Sequence, residues 1–113
     1  MTFATTRAEL AAQLSTVEGV TGYDKRPTIL RPGDAYPLLG SVGDRSGMAF
    51  QVTWRVIVVL GNDEAAAIDK TEALLPELFE AIEPVAYVDG AQPFAVPTQG
   101  GELICLEITA RSE

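Results

Sequence analysis

The sequence predicts an α+β fold. Residues 1–113 form a single domain with a mixed or mainly antiparallel β-sheet, a long helix packed on one face, and the order α-β-β-β-α-β-β. Three observations carry this reading. A chain of 113 residues that is 47% hydrophobic suits one domain with a real core and is too apolar for disorder. Phe50, Val52, Trp54, Val56, Val58 and Leu60 alternate without a break, the period-two signature of a strand with a buried face. After Gly61-Asn62, the residues Ile68, Leu75, Leu78, Phe79 and Ile82 fall on one helical face, with acids on the others.

Each element has its own warrant. Thr5 to Val17 reads as a helix, with Thr6 and Glu9 at the spacing of a capping box and Gly19 at the expected stop. Leu10 and Leu14 lie four apart on its buried stripe. A strand is expected around Val20–Tyr23, ending at Lys25-Arg26. Residues 27–47 are rich in proline and glycine, hence loop-rich, with a strand over Ala35–Val42 whose Pro37 points to a sheet edge. Asp44 to Gly47 reads as a turn. Met48 to Leu60 is the long strand, and its second face changes from polar Gln51, Thr53 and Arg55 to apolar Ile57 and Val59. One half is therefore buried on both sides, and the other opens to solvent or a partner. Asn62 or Asp63 caps the long helix, and Pro76 is expected to kink it or start a second one. Pro84 ends it. Val85–Val88 forms a strand closed by Asp89-Gly90, Pro93 and Pro97 imply irregular chain, and Glu102–Ala110 is the last strand.

Composition excludes several functions. There is no histidine, so His-based acid–base catalysis and His-containing zinc sites are out. Cys105 has no partner for an intrachain disulfide, no histidine to activate it, and reads as buried filler in a reducing compartment. The net charge of −8 argues against a broad nucleic-acid-binding face. Gly40, Gly43 and Gly47 lack the Lys-Ser/Thr that completes a phosphate loop. Asp63, Glu64 and Asp69, and Glu77, Glu80 and Glu83, are candidate cation ligands or acid–base pairs, but a solvated helix face accounts for them. Trp54 reads as core rather than a stacking platform. No catalytic residue, metal or cofactor is expected. The first sixteen residues have no signal-peptide core, and the longest apolar run, Val56–Leu60, is far too short to span a bilayer.

Charge is divided unevenly. Residues 1–60 carry six bases and five acids, net +1, whereas residues 61–113 carry two bases and eleven acids, net −9. Such polarity suits head-to-tail packing of copies, which builds rings when the rotation closes. An acidic solvent-facing helix explains it equally well. Lys25, Arg26, Arg31 and Arg45 concentrate in the loop-rich half, as phosphate-backbone contacts or ordinary solubilising charge.

A TWRV-apolar strand beginning at Thr53 leads into an acidic, alanine-rich helix, then the P-V-A-Y-V run ending at Val88, a glycine pair, and L-x-x-L-E-I-T. With the opening helix and the RPGDAYPLLG segment from Arg31 to Gly40, this resembles the tail-terminator proteins of long-tailed (siphovirus-type) bacteriophages that infect actinobacteria. The resemblance covers nearly the whole chain, and its motifs are structural rather than catalytic. It implies a structural virion protein at the head-proximal end of the tail, made in the host cytoplasm. Copies would form a homo-oligomer, a hexameric ring that caps the tail tube and ends its polymerisation. The implied partners are the tail tube protein, the head-completion (neck) protein, and DNA passing through the hole without sequence-specific binding. No membrane is involved. An acidic lumen would let DNA slide. From strand and charge pattern, Gln51, Thr53, Arg55, Lys25, Arg26, Arg31 and Arg45 are the expected subunit or tail-tube contacts, and Arg55→Glu is expected to impair assembly without unfolding the protomer. A head-closure or connector protein of the neck is the alternative, and a small metal-dependent enzyme a more distant one.

Overall fold

In the computed structural model, which describes residues 2–45 and 49–112, seven elements follow in the expected order. They are α1 (Phe3–Leu14), β1 (Thr21–Gly22), β2 (Asp34–Arg45), β3 (Ala49–Gly61), α2 (Glu64–Ile82), β4 (Tyr87–Thr98) and β5 (Gly101–Ser112). The strands make one mixed sheet ordered β1-β2-β3-β5-β4, in which only the β1–β2 pair is parallel.

The alternating residues of β3 decide where the core lies. Trp54, Val56 and Val58 point to the face that carries both helices, where they meet Leu10 and Leu14 of α1, Leu78 and Ile82 of α2, and Leu106 and Ile108 of β5. Ile57 and Val59 point the other way into a smaller cluster with Tyr36, Val96 and Cys105, covered by Leu30, Leu38, Phe94 and Leu103. The polar-to-apolar switch along this second face is therefore a real boundary between an open half and a buried half.

Several local expectations are corrected. Helix α1 starts earlier than Thr5: Thr2 is its cap, its hydroxyl accepting from the Thr5 N–H at 3.1 Å, while Thr6 is buried inside the first turn and donates to the Thr2 carbonyl. The Thr6–Glu9 capping box does not form. Helix α2 has Asp63 as its cap, which accepts from Ala65 N–H, and runs through Pro76 as one element. Proline is tolerated there because Pro76 and Glu72, whose carbonyl loses its donor, are both exposed, so water can take the place of the missing N–H. The stretch around Pro93 and Pro97 is not irregular: both lie in β4, an outermost strand, where a missing donor need not interrupt the ladder. Strand β2 is an inner strand by order, yet β1 pairs only with Asp34 and Ala35. From Pro37 onward its outer edge is open. The turn expected over Asp44–Gly47 falls largely outside the described residues, with β2 itself reaching Arg45.

Gly22 is required by packing. A Cβ on Gly22 would collide with the Ala11 carbonyl, so the short β1 can approach α1 only without a side chain.

Candidate assembly surfaces

The three polar β3 residues do not behave alike. Gln51 and Thr53 are half-buried on the open half of the sheet. Arg55 is already engaged within the chain. Its Nη2 donates to Glu107 Oε2 at 2.8 Å, and its guanidinium lies 5.1 Å from the centre of the Phe94 ring. Gln92 Nε2 donates to the other Glu107 oxygen at 3.3 Å. Glu107, only 8% exposed, is thus held by two donors on the strands either side of it. Alternation along β5 puts Glu107 on the same face as Cys105, but nothing local in the sequence pairs it with a residue 52 positions away.

The basic candidates separate into two groups. Lys25 and Arg26 are exposed and, with Arg7, line a cleft of about 340 Å³ at the open edge of β2, whose apolar walls include Phe3, Leu39 and Trp54. Arg7 was not singled out by charge pattern alone; its Nε is shielded and has no hydrogen-bond partner among the described residues. Arg31 is exposed elsewhere, its backbone N–H donating to Asp34 Oδ2. Arg45 closes β2, and its side chain lies outside the described atoms.

The hairpin of β2 and β3 outruns the rest of the sheet. Pairing of β3 with β5 starts at Val52–Ser112, so Gly43–Arg45 and Ala49–Gln51 continue as a two-stranded arm. Register puts Leu39, Val42 and Phe50 on the same face as Trp54. They are 48%, 44% and 66% exposed, and Phe3, stacked edge-on against Trp54 at 5.9 Å, is 46% exposed. Large apolar groups gathered this way on one surface mark an interaction site more often than single exposed ones do.

The opposite character belongs to α2. Glu64, Asp69, Glu72, Glu77, Glu80 and Glu83 are exposed. Its one base, Lys70, is turned back to donate to the Leu60 carbonyl at 2.9 Å. Among the described residues, no three of Cys, Asp and Glu converge to hold a metal ion, and no helix is long and apolar enough to cross a membrane. No family model matches the chain, and no curated protein matches it.

Cys105 is fully buried. Burial raises its thiol above the ordinary 9.0, with the charge of Arg26 acting in the opposite sense, and burial likewise raises Tyr36 above 10.0. Both groups are neutral when protonated, so the unfolded chain gives up these protons at lower pH than the folded one. The stabilisation is complete below the ordinary values and is lost as pH rises through the raised ones. Thermal unfolding is accordingly expected to move to lower temperature above pH about 9, and Cys105→Ala is expected to flatten the first part of that decline. Native protein should also react with a thiol reagent far more slowly than denatured protein.

Proposed function

We propose that this chain is a non-enzymatic structural subunit of a phage tail, a tail terminator whose copies close into a ring on the tail tube. The reading rests on the sequence resemblance and on one structural observation, the two-stranded arm and the exposed apolar face that runs from it onto the sheet at its base. An arm of this kind is exposed on an isolated protomer and useful only once something covers it. The division of charge, slightly positive before residue 61 and strongly negative after it, supports contact between unlike surfaces of successive copies. Function then lies in surface complementarity: copies meet each other, the tube on one side and the neck on the other, and leave an acidic passage for DNA.

The test is binding to purified tail tubes lacking heads, alongside light scattering across concentration and salt. The expected result is saturable attachment at one tube end and a closed oligomer near a hexamer, weakened by salt. Attachment to tailless heads instead would favour the head-closure or connector reading. Binding to neither would overturn a role in the tail or neck.

A further inference from the structure

Between α2 and the outermost strand β4 lies a groove of about 760 Å³. Its floor and walls are apolar, with Ile68 and Leu75 from the helix, Pro93 from β4 and Ile104 from β5, and its rim carries Glu64 and Glu72. Ile68 is 62% exposed, although the helical pattern places it with the core residues of α2. The rest of the described chain leaves it largely uncovered. This groove belongs to the β4 end of the sheet, and the apolar arm with Arg7, Lys25 and Arg26 belongs to the β2 end. The two surfaces match in kind: apolar centres of large side chains, one with a basic margin and the other with an acidic one. They also differ from each other and occupy opposite edges of one sheet. A twofold axis through either edge would set like on like, whereas a head-to-tail contact sets unlike on unlike and leaves the pair with one free surface of each kind.

We propose that the groove between α2 and β4 is the receptor for the β2–β3 arm of a second copy and the apolar face at its base, with Leu39 and Val42 of the base and Phe50 of the arm seated on Ile68 and Leu75. Glu64 and Glu72 then face Arg7, Lys25 and Arg26 of the incoming copy. Pro93 and Pro97 lack the N–H that a sheet-forming neighbour would need, so side-chain packing in the groove, rather than extension of the sheet through β4, makes the contact. This rests on the self-assembly part of the proposed function and specifies its contact. It does not depend on what the ring caps.

The experiment joins Val42→Cys and Ile68→Cys in one full-length chain carrying Cys105→Ala, with each single cysteine variant in the same background as control. Mild oxidation is expected to give a ladder of dimer, trimer and larger species from the double variant, and none beyond dimer from either single one. A charge exchange checks orientation. Glu64→Lys with Glu72→Lys, and Lys25→Glu with Arg26→Glu, should each lose assembly alone and regain it when mixed, as alternating copies. Circular dichroism verifies that each variant is folded. A closed oligomer by light scattering without the ladder would overturn this contact while leaving the ring intact. A ladder without attachment to tail tubes would keep the contact and overturn the tail role. Absence of any ladder up to millimolar protein overturns the proposal, as would strong disulfide dimers from a single variant, which signal a twofold contact. If Ile68→Glu leaves assembly unchanged but abolishes binding of an apolar dye, the groove serves a small apolar ligand instead.

Discussion

Trp54→Ala is expected to destabilise the protomer by about 3–5 kcal/mol, the cost typical of emptying a large aromatic from a core. The indole is 1% exposed. It stacks edge-on with Phe3 and donates from Nε1 to Ser112 Oγ at 3.0 Å, so one side chain ties the start of α1 and the end of β5 to the centre of β3. The substitution removes apolar burial, leaves a cavity beneath α1, and frees Phe3, which is already half exposed. For a domain of this size, whose whole stability is of the order of 5–15 kcal/mol, the melting temperature should fall by roughly 10–20 °C. Circular dichroism or calorimetry is the readout, since Trp54 is the chain's sole tryptophan and fluorescence is lost with it. Trp54→Phe keeps most of the burial and loses the Ser112 bond, and should fall by no more than about 2 kcal/mol. Equal losses for the two variants would contradict the packing account.

What could be read from the sequence follows from how local its cause is. The faces of β3 were legible because alternation is a property of neighbouring residues, and Trp54 lies in the core as that pattern requires, while Cys105 is buried as its residue type implies. The start of α1 was misplaced by four residues at most because two threonines compete for the cap, and the choice depends on burying Thr6 rather than on its spacing to Glu9. Pro93 and Pro97 do not break their strand, and Pro76 does not start a second helix, for one shared reason. A proline's effect depends on whether its missing donor is needed. In α2 the orphaned carbonyl faces water, and in β4 there is a side of the strand with no neighbour. The assembly surfaces were only partly legible. The division of charge is written along the chain, but its meaning depends on strand order, which carries the basic half to one sheet edge and α2 with β4 to the other. The exposure of Ile68, Val42 and Phe50 had no signal at all, because each obeys the periodicity of a buried position. They become conspicuous only once the fold leaves them uncovered.

Arg55→Glu is expected to cost the protomer about 2–3 kcal/mol before any question of assembly arises. Removing one partner of a buried ion pair typically costs about 3–5 kcal/mol, and this pair is discounted because the Arg55 side chain is one-third exposed. The replacement does more than remove an attraction. It sets a second carboxylate beside Glu107, which is 8% exposed and left with Gln92 as its remaining side-chain donor among the described residues. Denaturant unfolding should show the loss, and the Arg55→Leu, Glu107→Leu double variant should recover most of it, since an apolar pair of similar size needs no desolvation of charge. A defect in assembly caused by Arg55→Glu would therefore not identify Arg55 as an interface residue, contrary to what its place on a polar strand face implied. The double variant makes the distinction. If it is as stable as the parent and assembles normally, Arg55 acts within the protomer, holding β3 to β5. If it is stable and fails to assemble, the open half of the sheet with Gln51 and Thr53 is a second contact surface, separate from the arm and the groove.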